Sequence, residues 1–148
     1  MEHMMTFRPA TAADLPAIEA LLEAAALPLE GARDHLDDFL VGEVDGVVGC
    51  VGGYERYDRL ALLRSMAVTG HWRGRGIGNR LLDAIKARAR GNGIDRLYLL
   101  TTTAAGFFGQ RGFVIVERNT APAALKASRE FQGICPASAT MMVAALTM

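Results

Sequence analysis

An excess of charge of either sign is missing from this chain: 16 lysines and arginines are matched by 16 aspartates and glutamates in 148 residues, a formal net charge of zero. No global field draws it to nucleic acid or anionic lipid, so any anion it binds has to be held locally. Long hydrophobic runs are missing too. The stretch from Leu21 to Leu29 is broken by Glu23 and falls short of the roughly 20 apolar residues a membrane span needs. Cysteine is scarce, and Cys50 and Cys135 stand far apart without the spacing of a metal site; no metal is expected, and each reads as a small buried apolar residue. No basic region followed by an apolar core and a small-residue cleavage site opens the chain, so no secretory signal is read and a cytoplasmic location is expected. What is present is apolar bulk: 51% of residues are hydrophobic, ample for a packed core, which excludes disorder and coiled coil.

Thr6 to Pro9 reads as a short extended segment, after which either Thr11 or Asp14 can cap a helix. Asp14 suits Pro16 better, because the proline then falls in the first turn, where its missing N–H costs no internal bond. Leu15, Ile18, Leu22 and Ala25 share one face, and that helix stops near Pro28. A shorter helical piece is expected from Ala32 to Asp38. Phe39 to Val44, the turn Asp45-Gly46 and Val47 to Tyr54 form a hairpin pattern. Leu60 to Val68 is a further strand, followed by a glycine- and arginine-rich turn and a helix from about Ile77 to Arg90 whose apolar face carries Ile77, Leu81, Ile85 and Ala89. Gly91-Asn92-Gly93 ends that helix, and Leu97 to Thr101 is the next strand; strand–helix–strand order makes the two strands parallel neighbours. Thr103 can cap a short helix from Ala104 to Arg111, ahead of a strand from Val114 to Arg118. Pro122 to Phe131 looks helical and Ser138 to Leu146 looks like a last apolar strand. The expectation is one α+β domain over residues 1–148 with a mixed central sheet.

The informative segment joins Val68 to Leu82. Three alternating glycines let the backbone curl so that successive N–H groups converge, and the helix starting near Ile77 adds roughly half a positive charge at the same spot. A diphosphate fits such a cradle, with Arg73, Arg75 and Arg80 able to add charge-assisted bonds. A Walker loop fails, because Asn79-Arg80 follows Gly78 where Lys-Ser or Lys-Thr is required. A dinucleotide fingerprint fits poorly, because Gly74, Gly76 and Gly78 lack the Gly-x-Gly-x-x-Gly spacing and follow an antiparallel hairpin. What fits is Arg-x-x-Gly-x-Gly, written here from Arg73 to Gly78 after a strand ending Met66-Ala67-Val68.

On those residues the sequence resembles the GNAT superfamily of N-acetyltransferases. Phe7-Arg8-Pro9-Ala10 with Asp14-Leu15-Pro16, the hairpin, and the segment ending Arg111-Gly112-Phe113 extend the resemblance over nearly the whole chain. It implies an α/β/α layered GNAT fold, with a mixed, mostly antiparallel sheet containing a splayed parallel strand pair, and acetyl-CoA as acetyl donor. It also implies donor-binding positions: Met66, Ala67 and Val68 on the strand, Arg73, Gly74, Arg75, Gly76, Ile77 and Gly78 in the turn, and Thr102, Phe107 and Phe108 beyond. More narrowly, 62–65, 101–108 and 135–139 resemble a subgroup associated with arsenic-resistance loci and amino-acid-like substrates.

The reaction so implied is direct attack of an amine on a thioester, with the N–H of Met66 or Val68 polarising the thioester oxygen. The amine has to arrive neutral, which needs a base or a water relay. The resemblance points to Glu55 for that role; the alternative is an exposed edge residue paired with Arg56 or Arg59. Glu43 is a weaker candidate. Many relatives carry a tyrosine as general acid where this chain has Phe108, a ring with no proton to give; Tyr98 is a substitute by residue type, otherwise a buried strand aromatic. Arg64 shares a strand face with Met66 and Val68 by alternation and wants an anionic partner, either a substrate carboxylate or an internal acid such as Glu55 or Asp58. Trp72 is expected to pack against the helix or shield the turn, and His71 to be exposed. The leading reading is acetylation of a small amino-acid-like amine; a protein N-terminus or lysine as acceptor, or a non-catalytic acyl-CoA sensor, are the alternatives. Neither nucleic acid nor membrane is an expected partner, and a homodimer can form if the last strand adds to a second sheet.

Overall fold

The structure is a computed structural model that describes residues 5–72, 74–128 and 139–146. Its strands are β1 (Thr6–Pro9), β2 (Phe39–Val44), β3 (Val47–Tyr57), β4 (Leu60–Val68), β5 (Arg96–Thr101), β6 (Val114–Val116) and β7 (Thr140–Ala145), and its α-helices are α1 (Leu15–Ala24), α2 (Ile77–Gly91), α3 (Ala105–Gly109) and α4 (Ala123–Lys126). The strands form one sheet in the order β1-β2-β3-β4-β5-β7-β6. The chain divides into two compact units, one of Met1–Tyr54 with Ser65–Arg88, the other of Glu55–Arg64 with Ala89–Met148.

In the first unit β2 pairs antiparallel with both β1 and β3. The β2–β3 turn is the expected Asp45-Gly46, and both residues have positive φ, 52° and 80°, the conformation that matches the right-handed twist of flanking strands. The ladder then carries a bulge: Gly42 pairs with Cys50 but Glu43 with Val48, so Gly49 is the extra residue of β3. Ile18 and Leu22 of α1 pack with Phe39, Val41, Val51 and Ala67 into the core of this unit. α2 approaches β3 closely at Gly52, where a Cβ would lie 2.7 Å from Ile85 Cδ1.

α1 starts where the sequence places it, with Pro16 in its first turn and Asp14 at the cap position. The Asp14 carboxylate turns backward, however. It accepts from Arg8 Nη1 at 2.8 Å, Arg8 Nη2 at 2.9 Å and the Thr11 N–H at 2.8 Å, while Arg8 Nε donates to Glu43 at 2.9 Å. One guanidinium thus joins β1, β2 and the start of α1. The helix ends at Ala24, short of Pro28, because Ala26 takes φ 56° and the Leu27 N–H reaches back to the Leu22 carbonyl at 2.9 Å.

In the second unit β4 and β5 are parallel, as expected, over Leu60–Leu62 against Arg96–Tyr98. Leu63 and Arg64 run on beyond the last of these pairs. β5 pairs along its whole length with β7, and β7 also pairs with β6. The core here is Leu62, Tyr98, Ala121, Leu125 and Met141. Three expectations need correction. β7 has a neighbour on each side, so it cannot add to a partner's sheet; the outer strand at that end of the sheet is β6. The N–H that opens α3 is taken by the Thr101 hydroxyl, which accepts from the Ala104 N–H at 3.0 Å, and not by Thr103. Among the described residues α4 is a single turn, and 129–131, where a longer helix was expected to end, lie outside them. No helix of the described residues is long and apolar enough to cross a membrane.

The bonds from Arg8, ahead of the Thr11 N–H, hold the Asp14 carboxyl below its ordinary 3.8, at about 2. A carboxyl lowered on folding contributes stability that is full above its unfolded value and lost as the pH falls through the folded one. Asp14→Asn is therefore expected to cost about 1–3 kcal/mol near neutral pH. That deficit, followed by thermal denaturation, should shrink as the pH is lowered through about 4 toward 2; a deficit independent of pH would rule the assignment out.

Candidate functional site

The segment expected to hold phosphates lies wholly in the first unit. β4 ends with half-buried Met66, buried Ala67 and half-buried Val68, after which the Thr69 N–H donates to the Gly49 carbonyl at 2.7 Å. A short 3₁₀ turn, Gly70–Trp72, leads on; Arg73 lies outside the described residues. Gly74 and Gly76 take φ of 79° and 72°, conformations that L side chains rarely adopt, and a Cβ on either would meet nothing within 4 Å. This stretch is open backbone facing solvent. α2 begins at once, with buried Ile77 as its inward anchor, and the Arg80 N–H to Gly76 carbonyl bond at 3.1 Å is its first turn. The amides of Ile77 and Gly78 have no carbonyl four residues back inside the helix, and the helix dipole adds positive potential where they point. Arg75 is exposed beside them, whereas the Arg80 guanidinium lies 5.6 Å from the Phe7 ring centroid. An anion with several oxygens can be held here by backbone alone.

The second unit carries Glu55, Tyr57 and Arg64. Glu55 is buried, although the alternative reading had it exposed and paired with Arg56 or Arg59; Arg59 instead bonds Asp95 at 2.8 Å. Arg64 Nη1 donates to Glu55 Oε2 at 2.7 Å with both side chains enclosed, and the Tyr57 hydroxyl donates to Glu55 Oε1. The anionic partner that Arg64 requires is thus found inside the protein. Ser65, the next residue, has φ 63°. A left-handed residue in a strand interrupts the period-two alternation, so the shared face expected for Arg64, Met66 and Val68 does not follow from spacing. Neither Tyr57 nor Ser65 was legible as a site residue: tyrosine at a strand end is ordinary, and serine carries no signal for positive φ.

α3 holds Phe107 and Phe108. Phe108 is buried edge-on between Phe107, at 5.1 Å between ring centroids, and Phe113, at 5.4 Å. Arg111 lies 3.8 Å from the Phe107 ring centroid and donates to the Phe107 carbonyl at 2.8 Å, which fixes the end of that short helix. Thr102 is exposed. Tyr98 is a buried core aromatic, as the plainer reading had it, and Glu43 is tied to Arg8. Burial pushes the Cys50 thiol up to about 11, which removes it as a nucleophile near neutral pH. His71 is exposed, and the Trp72 indole sits against Gly49.

A family model described as an acetyltransferase (GNAT) domain matches residues 35–115. The chain belongs to the GNAT acetyltransferase family. It is 31% identical over 123 residues to an uncharacterized N-acetyltransferase of Chlorobaculum tepidum, a match covering 78% of this chain and 79% of that protein. It is 32% identical over 126 residues to an amino-acid acetyltransferase of Pasteurella multocida, covering 79% of this chain but only 29% of that protein's length. In structure it is similar to the Neisseria gonorrhoeae N-acetylglutamate synthase solved with coenzyme A and N-acetyl-glutamate, at a TM-score of 0.85 and 27% identity over all of this chain and 36% of that one. The chain therefore spans about a third of the length of the amino-acid acetyltransferases it matches.

Arg64→Met would leave Glu55 buried without this cation and is expected to cost about 3–5 kcal/mol, whereas the double variant Glu55→Leu/Arg64→Met should recover most of that. Chemical denaturation of both checks it. A single variant as stable as the wild type would mean that the pair is not enclosed in solution.

Proposed function

We propose that the chain is an acetyl-CoA-dependent N-acetyltransferase acting on the amine of a small amino-acid-like substrate. The observation that carries this reading is the open glycine turn with left-handed Gly74 and Gly76 at the amino end of α2, in a chain of the GNAT family. There the main-chain amides hold the diphosphate of acetyl-CoA as donor substrate, and Arg73 and Arg75 add charge-assisted bonds. The Neisseria synthase was solved with coenzyme A and with N-acetyl-glutamate, which supports both the donor and the acceptor class. Met66, Ala67 and Val68 bind the pantetheine arm through strand backbone. Ser65 supports Met66 as the amide that polarises the thioester oxygen, because a left-handed residue reorients the peptide plane that follows it. Thr102, Phe107 and Phe108 line the donor's far end.

Glu55 takes the amine's proton, through water or the Tyr57 hydroxyl, since its own carboxylate is enclosed. Arg64 is its counter-ion, bonded at 2.7 Å. A substrate carboxylate reaches Arg64 only by displacing Glu55 or sharing the guanidinium with it. The narrower resemblance to the arsenic-resistance subgroup points to the same acceptors, an amino acid or an amino-acid-like toxin, and a cytoplasmic location goes with it. The proposed homodimer uses the outer edge of β6, where Val114 and Ile115 are exposed.

Phe108 favours one second reading, a non-catalytic acyl-CoA sensor. Thiol release from acetyl-CoA across a panel of amino acids, polyamines and phosphinate or arsinate analogues of glutamate separates the two. Turnover with at least one amino acid or analogue is expected, and Glu55→Gln should lower kcat by about 10²–10⁴-fold. Binding of coenzyme A without thiol release on any amine would leave the sensor and discard the enzyme.

A further inference from the structure

We propose that Trp72, seated on the side-chain-free bulge residue Gly49, is the positioning residue of the diphosphate-binding turn. This rests on the coenzyme A reading above and concerns residues outside the glycine turn itself. The chain has one tryptophan, and it stands two positions before Gly74. Three ring atoms of its indole, Cη2, Cζ3 and Cζ2, would lie 2.5, 2.6 and 2.7 Å from a Cβ built on Gly49. Real Cβ atoms do not approach so closely, and an indole is too rigid to bend aside, so only a residue without a side chain can seat it.

Gly49 is also the extra residue in β3, left out of the β2 pairing between Gly42↔Cys50 and Glu43↔Val48. Its carbonyl accepts the Thr69 N–H at 2.7 Å, and the Trp72 N–H closes back on the Thr69 carbonyl at 3.0 Å. One bulged glycine therefore gives the descending chain both a hydrogen bond and a ring seat before the turn begins. Bulges commonly re-aim backbone beside functional sites.

Gly74 and Gly76 have no side chains and open space around them, so among the described residues the turn is held at its far end by buried Ile77 and the Arg80 N–H to Gly76 carbonyl bond, and at its near end by Trp72. A turn held open by its approach segment meets a diphosphate without first losing conformational entropy; one released from that seat has to be ordered by the ligand. Trp72 thus acts through the turn's geometry and not by touching the reacting atoms.

Wild-type protein titrated with coenzyme A should change its tryptophan emission, while pantetheine, which has no diphosphate, should not change it. Gly49→Ala and Trp72→Ala should each raise the calorimetric Kd for coenzyme A about tenfold. In both variants kcat at saturating acetyl-CoA should stay within about twofold of wild type, and Trp72→Phe should recover part of the affinity. Wild-type Kd in both alanine variants, or silent emission while calorimetry records coenzyme A uptake, would overturn the proposal and leave the acetyltransferase reading standing. If the folded wild type takes up no coenzyme A, both fall together. Should Gly49→Ala melt below the assay temperature, Trp72→Ala, which introduces no clash, carries the test.

Discussion

The turn ahead of α2 depends on close approach between main chain and its neighbours, made available by glycines in β3. Gly52 lets α2 settle against the strand at van der Waals distance through Ile85, and Gly49 does the same for Trp72. A helix whose axis is set by one contact and whose entry is set by the other presents its first amides in a defined direction. Packing of this kind tolerates little added volume, since protein interiors are near crystal density. The turn itself can then be bare backbone, and a neutral chain can still offer concentrated positive potential, because peptide dipoles and first-turn amides with no intrahelical carbonyl to bond supply it without net charge.

The buried Glu55–Arg64 pair answers a different demand. Desolvating two charges costs several kcal/mol each, and the ion-pair bond at 2.7 Å and the bond from Tyr57 are among the interactions that offset it. An apolar pair of similar volume would do as well for stability, so the pair is weak evidence of a stabilising role. Arg64 is followed directly by the left-handed Ser65, so a buried charge and a local break in the β4 alternation fall at adjacent residues.

Much of this was legible in residue order. The Asp45-Gly46 hairpin, the i, i+4 apolar repeat of α2, the parallel β4–β5 relation and the left-handed glycine turn all follow from local rules that the structure obeys. What escaped depends on contacts remote in sequence or on backbone states that side-chain type does not announce. The Glu55–Arg64 pair was among the alternatives the sequence left open, but nothing local chooses it over a pair with Arg56 or a substrate carboxylate. The position of β7 between β5 and β6 is decided by which strand Met141 and Met142 can bury against, and short apolar strands carry no address. Ser65 is the clearest case, because serine is compatible with an unbroken strand.

Phe108 tests the proposed reaction by magnitude. A general acid at that position would protonate the departing sulfur, and the phenyl ring, packed edge-on against Phe107 and Phe113, has no proton to give. The deficit is small, however. An ordinary thiol has a pKa of about 8.5, so releasing it as a thiolate near pH 7 costs about 2 kcal/mol relative to the protonated product. The amine carries the heavier demand, since an ammonium has no lone pair and cannot attack at all until its proton is removed. A site that keeps an enclosed carboxylate and lacks the acid has therefore retained the group whose loss would be felt most, which favours turnover over sensing on this chain's own residues.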